Sequence, residues 1–193
     1  MKRVFQNTDR TAFLDKGIFI NKELLESCIT DIEPHLEERP EIILFGRKCK
    51  QQRNVGFFSN ESIGYKYSKK MMESKPLSKS MSDLLIIINT MIGAEFNGIL
   101  INKYIDGNDY ISPHSDDESF LDKSGVVSIS YGAERIFRIR NKETKEIVCD
   151  EITKPGIILY MGGNFQKLYT HEIPVQKKIK ESRISFTFRK HNI

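Results

Sequence analysis

The sequence contains no tryptophan and only three cysteines in 193 residues. Cys28, Cys49 and Cys149 lie far apart, which argues against both a disulfide framework and a zinc knuckle built on paired cysteines. Long apolar runs are also missing. The longest, Leu84 to Ile88 and Ile157 to Met161, have five residues each, far short of the roughly 20 that a membrane helix needs. MKRVFQNTDR, at the N-terminus, is charged with no apolar stretch behind it, so no secretory leader is expected. No fixed-period repeat and no Pro- or Gly-rich linker divides the chain. These absences predict a reduced, intracellular protein, cytoplasmic or nuclear, with no membrane contact; a monomer is expected. Charge of one sign is scarce too: 30 Lys and Arg against 26 Asp and Glu leave a net charge of +4. That mildly basic balance suits a polyanionic partner, but ordinary proteins share it.

What is present is a globular composition, 39% hydrophobic and 29% charged, in a chain long enough to bury a core unaided. One domain over residues 1–193 is expected, with a compositional shift near residue 97. In the first part, Glu23 to Leu36 carries Leu24, Cys28 and Ile32 in helical register, ending near Pro34. Residues 78–95 carry a stronger stripe, with Met81, Leu84, Leu85, Ile88, Met91 and Ile92 on one face. Ser78, Ser80 and Ser82 are candidate caps, and Gly93 a candidate end. Between these helices, residues 46–76 read as irregular surface in which basic residues such as Arg53 alternate with Phe57, Phe58, Tyr65 and Tyr67. Such interleaving suits a surface that grips phosphate and stacks bases, though lysine-rich loops are commonly just solvated. Residues 1–97 are therefore expected to form helical support and a lid.

Residues 98–193 read as a run of short strands: 99–105, 126–131, 135–140, 146–152, 156–161 and 182–189. Many short strands after a helical section suggest an antiparallel sandwich or barrel braced by helices, with the jelly roll favoured. The fold class expected is mainly β with flanking helices.

Three polar clusters fall on this framework. In SPHSDDESF, His114 and Asp116 are two apart, so an extended backbone points both to one side. An imidazole and a carboxylate placed so form two-thirds of a 2-His-1-carboxylate triad, which leaves open positions on iron(II). His-x-Asp alone is weak and needs a third ligand. His35 lies on the early helix and His191 in a tail prone to fraying; His171, in LYTHEIPV, is the best third ligand by elimination. In SRISFTFRK, strict alternation puts Ile184, Phe186 and Phe188 on one face and Arg183, Ser185, Thr187 and Arg189 on the other. Six residues of strand span ~20 Å, and inward-leaning guanidiniums at each end leave a gap on the order of 8 Å, the scale of a short dicarboxylate. Arginine suits bidentate carboxylate grips; an outward-facing polar strand would show the same pattern. In ILINKYI, Asn102 and Tyr104 share a face just upstream of the His-x-Asp pair. A metal pair, a dicarboxylate grip and two neutral donors are what an iron(II) and 2-oxoglutarate site requires.

The sequence resembles the AlkB family of dealkylating dioxygenases over roughly residues 45–190. The likeness runs through Asn102-Lys-Tyr104, His114-Ser-Asp116, VVSISYGAERIFRIR, GGNFQKLYTHEIP and Arg183-ISFTF-Arg189. It implies a double-stranded β-helix as catalytic core over 98–193, and iron(II) bound by His114, Asp116 and His171. It also implies that Arg183 holds the distal 2-oxoglutarate carboxylate with help from Tyr104, and that Asn102 and Arg189 lie near the metal-side end. Ser185 shares that cofactor-facing row. O2 is the other implied co-substrate, with succinate, carbon dioxide and formaldehyde as products. The run HSDDE is similar to the subgroup acting on alkylated DNA bases, where Asp117 and Glu118 would meet the polar edge of a flipped base; a solvated turn is the alternative reading of both. An alkylated adenine or cytosine can be cationic, and a carboxylate complements that charge. The implied partner is alkylated DNA or RNA, and the implied reaction is demethylation of bases of the 1-methyladenine and 3-methylcytosine type. The chain departs from the family pattern at QQRNVGFFSN and GYKYS, which leaves the lid roles of Arg53, Phe57, Phe58, Tyr65 and Tyr67 open. Two rival readings are an oxygenase acting on protein and an inactive nucleic-acid-binding relative.

Overall fold

The computed structural model describes residues 1–44, 46–62, 64–67, 70–116, 122 and 124–192, and leaves out the side chains of Leu44, Lys66, Tyr67 and Lys70. The chain begins with β1 (Lys2–Gln6) and β2 (Ala12–Ile18), then α1 (Lys22–Ile32) and a 3-10 turn (Glu33–His35). Next come β3 (Glu41–Leu44), β4 (Arg47–Lys50), β5 (Asn54–Phe58), β6 (Gly64–Tyr67), β7 (Lys70–Glu73) and α2 (Lys79–Ile92). The remainder is β8 (Gly98–Tyr104), β9 (Ile111–His114), β10 (Val126–Gly132), β11 (Arg135–Asn141), β12 (Ile147–Thr153), β13 (Ile157–Gly163), the single turn α3 (Phe165–Leu168), β14 (Tyr169–Ile173) and β15 (Arg183–Arg189). Among the described residues, no helix is long and apolar enough to cross a membrane.

Two antiparallel sheets carry the fold. The larger has the order β1-β2-β13-β10-β15-β8-β5, and the smaller β12-β11-β14-β9. β15 shows why they stack. Ile184, Phe186 and Phe188 point from one face into a core shared with Leu25, Cys28 and Ile32 of α1 and with Met81, Leu84 and Ile88 of α2. Arg183, Ser185, Thr187 and Arg189 point from the other face into a pocket facing the smaller sheet. A second core, with Leu14, Val126, Leu159 and Met161 from the larger sheet and Phe137, Ile139 and Ile173 from the smaller, fills the rest of that interface. Period-two alternation thus sorts apolar side chains to the helical layer and polar ones to the site.

Both helices follow their local signals. Ser78 caps α2 by accepting from the Met81 amide, and Gly93 ends it at φ 72°, a left-handed turn that favours glycine. Asn21 caps α1, whose buried face is Leu25, Cys28 and Ile32, with Leu24 partly buried beside it.

The first half is less helical than its pattern predicts. β1, β2 and β5 all join the larger sheet, so the compositional shift near residue 97 does not divide the structure. β2 hides its strand character behind charges that are satisfied in space: Asp15 pairs with Arg3 at 2.5 Å and Lys16 with Glu151 at 2.7 Å. Nor is 46–76 irregular surface, because it holds β4, β5 and the β6–β7 hairpin. Phe57 and Phe58 are buried at 0% and 2% exposure, and so are not a stacking platform for bases. β5 pairs with β8 and packs on both faces, Phe57 against Tyr65 and Phe58 within the helix-side core.

Candidate active site

The site lies between the sheets, where His114 at the end of β9 stands directly opposite His171 of β14. The stretch of β9 from Ile111 to His114 is matched by only His171 to Ile173 on β14, so β9 carries one extra residue. A bulge of this kind re-aims side chains, and Pro113 fits it because proline donates nothing to the ladder. Beyond it, the Asp116 amide donates to Gln166 Oε1 at 3.0 Å and Ser115 Oγ donates to the Tyr169 carbonyl at 3.0 Å. These bonds turn the Asp116 carboxylate towards the two imidazoles. One ligand atom from each of His114, Asp116 and His171 lies within 4.8 Å of the other two.

Their protonation states suit a cation. Burial alone would push the Asp116 carboxyl up, but the charge of Arg189 and the two nearby imidazoles hold it at about 2. Arg189 Nη2 donates to Asp116 Oδ1 at 3.3 Å, with both side chains almost wholly buried. Burial, reinforced by His114, pushes His171 down to about 3. Withdrawal from water also lowers His114, against the opposing pull of Asp116. At neutral pH all three are therefore deprotonated and need lose no proton to bind metal. His114 Nδ1 lies 2.9 Å from the Ser112 carbonyl, which can only accept, so Nε2 is left with its lone pair for coordination.

At the other end of β15, Arg183 is 2% exposed. Its Nη2 donates to Ser130 Oγ at 2.8 Å, while Nε and Nη1 are buried with no hydrogen-bond partner among the described residues. Burial lowers this guanidinium to about 10, with Tyr104 opposing the shift. A buried arginine charged at neutral pH with two open donors among the described residues is matched by a carboxylate. The Tyr104 ring centroid is 5.3 Å from the guanidinium carbon, and the cross-strand register sets Arg183 opposite Tyr104 and Ser185 opposite Asn102. The structure therefore fits both a divalent metal held by three side chains and a dicarboxylate reaching towards Arg183.

Of the residues singled out in the sequence, Asn102, Tyr104, His114, Asp116, His171, Arg183, Ser185 and Arg189 line this one pocket. Arg53 and Tyr65 line it too, as buried wall rather than exposed surface. Arg53 Nε donates to Asn102 Oδ1 at 2.6 Å, and the Tyr65 ring lies 4.8 Å from the Arg189 guanidinium carbon. Phe57 and Phe58 stay outside. Tyr67 is placed on β6 by its backbone, and Asp117 and Glu118 lie outside the described residues. His191 is no frayed tail residue: it is 5% exposed, bonded through Nδ1 to Ser62 Oγ at 2.8 Å and stacked on Phe57. Sequence reasoning missed Ser128, Ser130, Gln166 and Phe137. The two serines were legible, since alternation along VVSISYG sets both on the face opposite Val127 and Ile129.

The described geometry agrees with comparisons across known proteins. The model of the 2OG-Fe(II) oxygenase superfamily matches residues 19–189. The DNA oxidative demethylase ALKBH2 of Bos taurus is 28% identical over 177 residues, covering 87% of this chain and 63% of that protein. An uncharacterised protein, R406, of Acanthamoeba polyphaga mimivirus is 30% identical over 171 residues, covering 88% of each chain. The solved structure of OsALKBH1 shares the fold, a double-stranded β-helix, with a TM-score of 0.61 at 15% identity, covering 98% of this chain and 100% of that one. Together with the His114–Asp116–His171 cluster, these likenesses support the use of iron and 2-oxoglutarate. This chain belongs to the 2OG-Fe(II) oxygenase superfamily and, within it, to the AlkB family.

Proposed function

We propose that this protein demethylates N-alkylated bases of the 1-methyladenine and 3-methylcytosine type in DNA, with RNA as a second substrate. The observation that carries the reading is one pocket in which His114, Asp116 and His171 stand close enough to hold a metal ion and, on the same face of β15, a buried arginine has two side-chain nitrogens without a hydrogen-bond partner among the described residues. Relatives named as DNA oxidative demethylases supply the substrate class. In this reading, Arg183 grips the far carboxylate of 2-oxoglutarate, and Tyr104, Asn102 and Ser185 line its path. Arg189 keeps Asp116 ionised and aimed. Iron(II), when bound, supplies the oxygen-activating chemistry by which O2 oxidises the N-methyl carbon while 2-oxoglutarate becomes succinate and carbon dioxide. The hydroxylated methyl group then leaves the base nitrogen as formaldehyde. The target base must leave its stack to reach a pocket enclosed between two sheets.

The test is a mass-spectrometric screen of methylated DNA and RNA oligonucleotides, single- and double-stranded, with iron(II) and 2-oxoglutarate in air. Demethylated base, succinate and formaldehyde are expected in equal amounts. Succinate formed without base repair, on every oligonucleotide, would turn the reading towards a protein substrate. Oligonucleotide binding that weakens as salt rises is also expected, since phosphate contacts release counterions.

A further inference from the structure

A metal-bound imidazole is ordinarily fixed by a hydrogen bond from its other ring nitrogen. His114 follows the rule through the Ser112 carbonyl. His171 does not: it is 7% exposed, and its Nδ1 is buried with no hydrogen-bond partner among the described residues. Its Nε2 faces Asp116, 3.7 Å from Oδ2. Among the described residues, no hydrogen bond from Nδ1 therefore sets the rotation of this ring about its bond to the chain.

Aromatic packing does. Phe137 of β11, itself 4% exposed, stacks on the imidazole with centroids 5.2 Å apart and planes only 18° from parallel. The His114 ring approaches at 4.3 Å with a 52° tilt. The contact follows from the register: Ile139 stands opposite His171, so Phe137 is its diagonal neighbour on the same face, within reach of a large ring. We infer that Phe137 is a positioning residue for the metal site, holding the His171 ring by stacking in place of the missing hydrogen bond. This rests on the reading of His171 as a metal ligand. Phe137 touches no reacting atom; it acts through the ring it orients. Leucine in its place stays apolar and fills most of the same space but offers no flat face, and the imidazole is then free to turn Nε2 away.

The experiment is titration of the full chain with Mn(II), read by loss of the free-ion electron paramagnetic resonance signal, with the melting temperature of each variant as control. Phe137→Leu is expected to weaken Mn(II) binding by about 10- to 100-fold, the range seen when other supports of ligating histidines are removed. Phe137→Tyr, which keeps the flat ring, is expected to bind within about threefold of the native protein, inside that lower bound. A folded Phe137→Leu with native Mn(II) affinity would overturn the inference, as would a folded Phe137→Tyr as weak as Phe137→Leu. A native protein that binds no Mn(II) would instead defeat the metal-site reading beneath it. If Phe137→Leu does not fold, the native protein decides: the His171 ring protons should lie upfield, in the ring current of Phe137, in both the metal-free and Zn(II) forms. Unshifted protons in the Zn(II) form would show that the bound ring is not stacked.

Discussion

Replacing Arg183 by methionine separates what this arginine does for the fold from what it does for a ligand. Among the described residues its buried charge donates one hydrogen bond, to Ser130, while Nε and Nη1 have no partner and the Tyr104 ring lies beside it. Methionine is close in length, leaves no large cavity and removes an incompletely satisfied charge, so the free variant should be about as stable as the native protein or more so. With 2-oxoglutarate the balance reverses. Two charge-assisted hydrogen bonds at about 1.5–3 kcal/mol each put the loss at roughly 3 kcal/mol or more, on the order of 100-fold in affinity. In a thermal-shift assay with Mn(II) in place of iron, 2-oxoglutarate at 100 times the native dissociation constant contributes about 2.7 kcal/mol of stability. For a chain of this size that raises the melting temperature by about 5–10 °C. At the same concentration the variant would be only half-saturated and gain about 0.4 kcal/mol, or roughly 1–2 °C. An Arg183→Met protein with the native 2-oxoglutarate shift would refute the assignment of the open donors to the ligand. One that is much less stable without ligand would refute the argument from burial.

Asp116→Ala should abolish turnover and Mn(II) binding together, because it removes the one anionic member of the cluster and leaves Arg189 buried beside two imidazoles; near-native demethylation by this variant would exclude the triad. His191→Ala should lower stability by about 2–4 kcal/mol in urea denaturation, by the scale of buried large-to-small changes, while leaving Mn(II) affinity unchanged; a native midpoint would show that the contacts with Ser62 and Phe57 carry nothing. Arg135→Met should be among the most damaging changes in the chain, since this guanidinium donates to the carbonyls of Asp106, Asp109 and Pro174. The buried Asp109 carbonyl left without a donor costs roughly 1–3 kcal/mol, and the half-buried Asp106 and Pro174 carbonyls add to it. The expected outcome is poor recovery of folded protein, and a native melting temperature would contradict it.

What could be read in the sequence was what local pattern encodes. β8, β10, β11, β12, β13 and β15 show themselves as short runs rich in β-branched and aromatic residues, whereas β9 and β14, which carry His114 and His171, were not read as strands. Arg183, Ser185 and Arg189 were legible as one row because strict alternation along β15 sets them on one face. β5 was not, because Val55, Gly56, Phe57 and Phe58 are all buried, so no alternation marks the strand and its aromatics look like surface. His191 was misjudged because its partner, Ser62, lies 129 residues away. The site depends most on a feature of this non-local kind. His171 reaches His114 and Phe137 only in the observed register of β11, β14 and β9; a slip by one residue would turn its ring to the opposite face. Beside it, Glu172 points the other way, opposite Arg138, and accepts from Arg140 Nε at 2.8 Å. Slipping the strands would carry this buried carboxylate into the site and break its ion pair in one step. Leaving a buried charge without its partner is strongly unfavourable, so the pair makes the wrong register costly, and the wrong register is what would dismantle the His171 side of the site.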